Sequence, residues 1–363
     1  MSTEAAHRGP VQSPRTATVE REESAPRPAP ARDRDPVFVA GPDRSGTTLM
    51  FALLGSHPNI SMVRRTNMWK YFHRRYGDLA DPNNFDRCLG DMVRYRRMRR
   101  LEPNEDRIRR EFRRGDPTYG HLFALFHEHN AERAGKPRWG DKSLHTEHHA
   151  TQVFDEFPEA RIVHMFRDPR DRYASTISRH GRDVHRVGAA TARWLLSARV
   201  GLRNVDRYPG RYMVARYEDL VTEPEGTMRG VCEFIGEPYE PVMFSMESSP
   251  EHRDAGGNSS FGDMKPGAIS TQGIGRFRTA VSPMELRFIE LTAGPQMTAV
   301  GYERVGATLS RVTRLRFFGW YLPVNLVRMV GWIVVARVRF RRGRRLPPSR
   351  LTEEPRPEAA GES

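Results

Sequence analysis

The chain has 363 residues, enough for one large α/β domain with appendages or for two modest domains. Hydrophobic residues make up only 37% of it, so we expect part of the chain to lie outside any packed core. The net charge of +14 would suit a nucleic-acid partner, but the twelve arginines between Arg304 and Leu351 account for all of it except +2. A basic tail on a nearly neutral body argues against nucleic-acid binding.

Both ends of the chain have the composition of disordered segments. Residues 1–35 are rich in Pro, Arg, Ala and Glu and contain no apolar run, and residues 347–363 are similar. Residues 1–35 also lack the apolar core of a signal peptide, and the two cysteines, Cys88 and Cys232, lie far apart. We therefore expect a cytoplasmic protein without a disulfide framework.

Strand and helix patterns alternate along the chain. The predicted strands are 36–40, 161–166 and 212–217. The predicted helices are 47–55, 118–134, 145–157, one from about Tyr173, one over 187–206 and one from Thr222 to Gly236. This alternation predicts an α/β fold with a central parallel sheet flanked by helices, which places ligands at the carboxyl ends of the strands.

The loop after the first strand, GPDRSGTT (Gly41–Thr48), nearly matches the nucleotide-binding P-loop. Its glycines are five apart, but Thr47 occupies the position of the P-loop lysine. Backbone N–H groups at the start of the helix and three hydroxyl side chains still predict an anion site. Without the lysine, a triphosphate and its magnesium lose a main partner, whereas Arg44 still supplies a cation. We therefore expect a ligand with one substituted 5′-phosphate and no metal.

The same loop, as GPDRSGTTLM, strongly resembles the 5′-phosphosulfate-binding loop of sulfotransferases that use 3′-phosphoadenosine 5′-phosphosulfate (PAPS). Segments RIVHMFRDPRDRYASTISR, VARYEDLVTEPEGTMRGVCEFIG and GIGRFRTAVSPMELRFIELTAGPQMTAVGYE resemble later motifs of that family, in the same order. PRWGDKS resembles the loop that carries the family's catalytic lysine. The resemblance covers residues 36–303. It implies a P-loop-like sulfotransferase fold and transfer of the sulfuryl group of PAPS to a hydroxyl of a carbohydrate, lipid or other small molecule.

The resemblance also implies roles for individual residues. The 5′-phosphosulfate would be held by Arg44, Ser45, Gly46, Thr47 and Thr48. The 3′-phosphate would be held by Arg167, Ser175 and Arg179, of which the last two lie four apart on one helical face. Tyr217 would lie near the adenine, Arg276 would add a cation from the closing segment, and Lys142 would neutralise the leaving phosphate oxygen. Without the resemblance, Arg167–Asp171 would pass for a solvated turn and Tyr217 for a core residue.

The catalytic base is less well defined by the sequence. One branch of the family uses a Glu at the position of Arg65, and an arginine cannot accept the proton. Another branch uses a His just after the lysine loop, which favours His145 over the alternatives Asp141 and His148. The histidines His145, His148 and His149 suggest a metal site, but no carboxylate or Cys partner at zinc spacing accompanies them. We therefore expect no metal.

Two further segments complete the predicted organisation. Residues 66–138 form a helical insert that shapes the acceptor pocket, and residues 304–346 form a basic, apolar segment. From Pro323 to Phe340 this segment gives ~27 Å of helix, short of a ~30 Å hydrocarbon core. We predict a helix lying peripherally on an anionic membrane, with a helix packed on the catalytic domain as the alternative. A P-loop kinase and a basic membrane- or nucleic-acid-binding protein are the rival functions.

Overall fold

The structure is a computed structural model that describes residues 35–181, 186–254, 257, 265 and 267–342. The segments predicted to be disordered, 1–35 and 347–363, lie outside the described residues except for Asp35.

A five-stranded parallel sheet forms the centre of the described fold. Its strands are β1 Val37–Ala40, β2 Ile60–Arg64, β3 Arg138–Lys142, β4 Arg161–Phe166 and β5 Tyr212–Arg216. They lie in the order β2-β3-β1-β4-β5, and every neighbouring pair is parallel. Strand β1 is central and fully buried, as expected of an apolar run covered by helices on both faces. The predicted central parallel sheet is confirmed.

Two strands, β2 and β3, were not predicted from the sequence, because polar residues interrupt their apolar pattern. Strand β3 contains Arg138, Asp141 and Lys142 and is nevertheless buried throughout. Arg138 is neutralised by Glu237 at 3.1 Å and donates to the carbonyl of Ile235 at 2.7 Å. Such burial depends on partners about a hundred residues away, which a local pattern does not reveal.

Helices cover both faces of the sheet. The first six are α1 Thr47–Gly55, α2 Met68–Tyr71, α3 Pro82–Arg94, α4 Arg96–Arg99, α5 Glu105–Phe112 and α6 Tyr119–Arg133. The next five are α7 Ala150–Glu156, α8 Pro169–His180, α9 Val187–Arg207, α10 Tyr217–Thr222 and α11 Pro224–Ile235. The last five are α12 Pro250–Asp254, α13 Phe277–Ala280, α14 Pro283–Ala299, α15 Arg311–Arg316 and α16 Leu322–Arg342. Short 3-10 helices occur at Thr146–His149, Pro241–Ser245 and Thr271–Gly273, and a π-helical turn at Phe317–Tyr321.

Three predicted boundaries were wrong. Helix α8 begins at Pro169 rather than near Tyr173, because the Asp168 side chain caps it by accepting from Arg170 N and Pro169 fits the first helical position. The helix predicted over 145–157 is a 3-10 turn followed by α7. Tyr217 starts α10 instead of ending β5.

The predicted insert between residues 66 and 138 is helical, and its helices α2–α6 share one apolar core with the sheet. Phe38 of β1 contacts Trp69 of α2 at a ring distance of 6.1 Å. Phe123 of α6 lies 5.9 Å from Trp139 of β3. The insert therefore packs on the face of the sheet that carries Phe38 and Trp139.

The carboxyl-terminal segment packs on α9. Gly188 of α9 meets α16 so closely that an added Cβ would lie 2.3 Å from the carbonyl oxygen of Asn325. Within the described residues, one helical stretch, Arg311–Val338, is long and apolar enough to cross a membrane, with a mean hydropathy of 1.4. The predicted tail helix is thus present and contacts the rest of the fold along one side.

Candidate active site

The loop between β1 and α1 has the geometry of an anion-binding loop. Arg44 and Gly46 have φ values of 66° and 86°, and Gly46 precedes α1 without a side-chain cap. A Cβ at Gly46 would lie 2.6 Å from the ring of Tyr217, so only glycine fits. The first N–H groups of α1 consequently face the loop without an internal acceptor. Ser45 Oγ is buried there and has no hydrogen-bond partner within the described part of the chain.

Two anchors hold this loop, a buried hydrogen bond to Glu147 and a partly buried ion pair with Arg172. Glu147 accepts from Gly41 N at 3.1 Å, and Arg172 binds both the carboxylate and the carbonyl of Asp43 at 2.8 Å. Burial raises the pKa of Asp43, but Arg172 and Arg193 outweigh it and hold the pKa at about 2. The Asp43 anchor is therefore charged at any physiological pH.

Arg167 leaves the end of β4 and points into the space beside the loop. Its guanidinium donates to the carbonyls of Arg44 at 3.2 Å and Gly273 at 2.7 Å and stacks over the Tyr217 ring at 4.3 Å. Trp194 donates to the Arg167 carbonyl at 2.8 Å. Only 4% of Arg167 is exposed, and its Nε has no partner among the residues that the structure describes. That N–H therefore lacks an acceptor within the described residues.

Arg44 and the first helix after β4 complete a cationic cluster. Arg44 Nε donates to Ser175 Oγ at 2.9 Å. Burial, with Arg167 and Arg179 nearby, lowers the pKa of Arg44, although Arg179 itself is exposed. Burial and Arg167 also lower the pKa of Arg276. Cations held this close repel one another, so the cluster favours an anion. The five residues predicted for cofactor binding outside the first loop, Arg167, Ser175, Arg179, Tyr217 and Arg276, thus lie around one site.

The rest of the motif after β4 is structural. Arg170 pairs with Asp168 at 2.6 Å and Glu290 at 2.7 Å, both buried. Asp171 accepts from the backbone N–H groups of Gly275 and Phe277 at 2.7 and 2.9 Å. These contacts bring the segment with Arg276 to the site. Treating this motif as a solvated turn would be wrong, because its side chains anchor the closing segment.

Lys142 reaches the same site from the end of β3. Its Nζ lies 3.4 Å from Thr48 Oγ1, on the far side of the loop from Arg167. Burial, with Arg65 and Arg64 nearby, lowers the pKa of Lys142 to about 8. An anion bound beside Lys142 favours the charged form of the lysine and so raises its pKa again. Arg65, at the position where one branch has a Glu, is exposed and close enough to contribute to this shift.

The three candidate bases lie in different surroundings. His145 has a φ of 70°, is 29% exposed and lines a cavity of about 120 Å³. Asp141 is fully buried, with Thr66 Oγ1 donating to it at 2.7 Å. His148 stacks under Phe340 at 4.1 Å, and burial lowers its pKa to about 4. Of the three, His145 alone lines this cavity.

The histidine cluster does have a carboxylate partner, so that part of the sequence argument was wrong. The ligand atoms of His145, Glu147 and His148 lie within 4.8 Å of one another. Glu147 sits between the two histidines, outside the spacings of zinc motifs, so the sequence pattern does not reveal it. Both Glu147 oxygens already accept hydrogen bonds, from Gly41 N and from Ser197 Oγ at 2.8 Å. A metal ion would have to compete with these donors.

Sequence reasoning missed the residues that position the site. Glu147 and Arg172 hold the loop, Trp194 holds the carbonyl of Arg167, and Asp171 holds the closing segment. All four make these contacts over 27 to 129 residues of chain, and no local pattern signals them. The one signal in the sequence is the repeated Arg-Asp pair after β4, which supplies more charged side chains than one phosphate would bind.

Comparison with known protein families gives one match that covers most of the sheet and site. A sequence model of the Sulfotransferase family matches residues 36–241, more than half of the chain. The matched range contains the loop, Lys142, His145 and the Arg167 motif.

Individual relatives are more distant. Carbohydrate sulfotransferase 2 of Mus musculus is 28% identical over 199 residues, covering 41% of this chain and 36% of that protein. Protein-tyrosine sulfotransferase A of Caenorhabditis elegans is 24% identical over 226 residues, covering 58% and 52%. The chain thus spans between about a third and a half of these relatives' length. The sulfotransferase domain of the Synechococcus PCC 7002 olefin synthase has the same fold, with a TM-score of 0.51, 17% identity and coverage of 75% of this chain and 97% of that one.

Proposed function

The chain belongs to the sulfotransferase family, and on that premise we propose that it transfers the sulfuryl group of PAPS to a hydroxyl of a carbohydrate, lipid or other small-molecule acceptor. The products are a sulfate ester and 3′,5′-adenosine bisphosphate. The observation that supports this most strongly is the convergence of Arg44, Arg167 and Lys142 around one helix N-terminus. Relatives named for carbohydrate and for protein-tyrosine acceptors agree with a hydroxyl acceptor.

The proposed site has separate positions for the two anionic groups of the donor. The cradle of Arg44, Ser45, Gly46, Thr47 and Thr48 would hold the 5′-phosphosulfate, where Ser45 Oγ offers a buried hydroxyl that lacks a described partner. Arg167, Ser175 and Arg179 would hold the 3′-phosphate, with Arg276 adding charge from the closing segment. The ring of Tyr217 is 4% exposed beneath Arg167, so we assign it to orienting that arginine beside the adenosine.

PAPS supplies an activated sulfuryl group, whose bond to the phosphate oxygen breaks as a bond to the acceptor oxygen forms. In this proposal Lys142 neutralises the charge that develops on the leaving phosphate oxygen. His145 takes the acceptor hydroxyl proton, since it is the candidate that faces open space. In this assignment Asp141 and Glu147 are structural carboxylates, and the reaction needs no metal.

The kinase alternative has no support in the loop. Thr47, at the P-loop lysine position, is 3% exposed and carries no charge. The cation that reaches Thr48 comes instead from β3. A site of this design suits a single 5′-phosphate with a sulfuryl group better than a magnesium-bound triphosphate.

Binding measurements test the proposed donor. Titration calorimetry in EDTA should show saturable binding of 3′,5′-adenosine bisphosphate and only weak binding of ATP, with or without magnesium. Tight, magnesium-dependent binding of ATP would contradict the proposal.

A further inference from the structure

Helix α16 has two apolar faces, which is unusual for a helix on a protein surface. Ten of the fourteen exposed large apolar side chains in the described residues lie between Val305 and Val338. On α16 the outward row includes Val327, Val330 and Val334, which are 73%, 54% and 54% exposed. Their spacing of three and four places them on one stripe. A contiguous stripe of this kind marks a surface that another apolar phase covers.

The opposite face of α16 lines the cavity beside the candidate base His145. Trp332, Ala336 and Phe340 line the cavity of about 120 Å³ together with His145. Phe340 lies 5.7 Å from the His145 ring. The helix is fixed in this position by its close approach to α9 at Gly188. One helix thus joins the cavity beside the candidate base to the exposed apolar stripe.

The charge around the stripe specifies the occupant. The segment from Arg304 to Leu351 has twelve arginines and no acidic residue. Arg311, Arg314, Arg316 and Arg337 are exposed in the structure. Basic side chains beside an apolar stripe complement an anionic bilayer, in which acyl chains cover the valines and headgroups meet the arginines.

We propose that α16 docks on an anionic bilayer surface and that the acceptor is a hydroxyl carried by a membrane lipid. The lipid enters along α16, so that its hydroxyl reaches His145 while its apolar part remains against Trp332 and Phe340. Because the inner face of α16 contacts the fold, the helix lies on the membrane and does not cross it. This inference rests on the proposed function and names its acceptor class.

Vesicle flotation tests the docking. Vesicles of phosphatidylcholine with about a third phosphatidylglycerol should carry the full chain upward, and vesicles of phosphatidylcholine alone should carry much less. Val327→Asp or Val334→Asp should each lower vesicle binding by about tenfold, because an exposed apolar contact becomes a charge facing an anionic surface. Val242→Asp is the matched control, since Val242 is 46% exposed on the Pro241–Ser245 turn and should float like the wild type.

Three outcomes would overturn the docking. The first is equal flotation of the α16 variants and the wild type. The second is a loss of vesicle binding in Val242→Asp as large as that in the α16 variants. The third is retention of the chain on vesicles through high salt and alkaline carbonate. The last would mean that the helix crosses the bilayer.

Transfer assays test the lipid acceptor. With sulfur-labelled PAPS and a cell extract split into lipid and water-soluble fractions, label should enter the lipid fraction. Val327→Asp should lower that transfer about tenfold on vesicles but leave the affinity for 3′,5′-adenosine bisphosphate unchanged. Gly188→Ala, which would push α16 from α9, should raise the KM for the lipid and likewise spare the bisphosphate. Label confined to the water-soluble fraction would overturn the lipid acceptor alone, whereas a wild-type chain that fails to bind the bisphosphate would contradict the proposed function itself.

Discussion

Replacement of Arg167 by Ala should separate the two phosphate positions of the donor. Arg167 is nearly buried, and its Nε has no hydrogen-bond partner within the described residues. Its other two nitrogens already bind the carbonyls of Arg44 and Gly273. Two of the five guanidinium N–H groups make these bonds, so at least the Nε–H remains for a ligand, which in the proposed site is the 3′-phosphate.

A charged hydrogen bond contributes ~1.5–3 kcal/mol, which corresponds to a loss of about 10- to 150-fold in affinity. Titration calorimetry should show this loss for 3′,5′-adenosine bisphosphate in Arg167→Ala. The affinity for 5′-AMP, which has no 3′-phosphate, should change little. The affinity of Arg167→Lys for the bisphosphate should lie between those of the wild type and Arg167→Ala, because lysine keeps the charge but loses the planar geometry.

One control variant and the comparison of two nucleotides make the result interpretable. Arg170→Ala removes a neighbouring arginine that pairs with Asp168 and Glu290. It should therefore lower thermal stability but leave the ratio of the affinities for the bisphosphate and 5′-AMP unchanged. An equal loss of affinity for 5′-AMP and the bisphosphate in Arg167→Ala would mean that Arg167 supports the loop and does not bind the 3′-phosphate.

Three further predictions concern the proton, the leaving group and the metal. His145→Ala should lower the turnover rate by ~10²–10⁴ and hardly change bisphosphate affinity, and a larger effect of Asp141→Asn or His148→Ala would move the base there. Lys142 is protonated below its pKa of about 8 and neutral above it. Since a bound anion favours the charged form, bisphosphate affinity should fall as pH rises through 8, by at most about tenfold per pH unit, and Lys142→Met should abolish that slope. EDTA should leave turnover unchanged. A loss restored by a divalent metal would assign His145, Glu147 and His148 to a metal site.

The sheet core and the site could be predicted to different degrees. Strands β1 and β4 are apolar runs and were recognised within one residue. Strand β3 was missed because its charges are neutralised only in the folded chain, as Arg138 is by Glu237. The same limit applies to the loop, whose sequence predicts an anion cradle but whose anchors, Glu147 and Arg172, come from distant segments.

The surroundings of the candidate base and of the tail helix could not be predicted from the sequence for a different reason. His145 and Asp141 lie four residues apart, and only the path of the chain shows that one lines a cavity while the other is buried against Thr66. The sequence offered membrane docking and packing on the domain as alternatives for the tail. In the structure Ala336 of α16 is buried while Val327 is exposed, so packing occurs and an apolar face remains.

A transfer assay measures sulfuryl transfer from PAPS itself. The purified chain is incubated with sulfur-labelled PAPS and a cell extract, and products are identified by mass spectrometry while 3′,5′-adenosine bisphosphate is quantified. We predict a labelled sulfate ester formed in equal amount to the bisphosphate released, and loss of both in Lys142→Met. Bisphosphate release accompanied only by free sulfate, or equal product in Lys142→Met, would contradict the account.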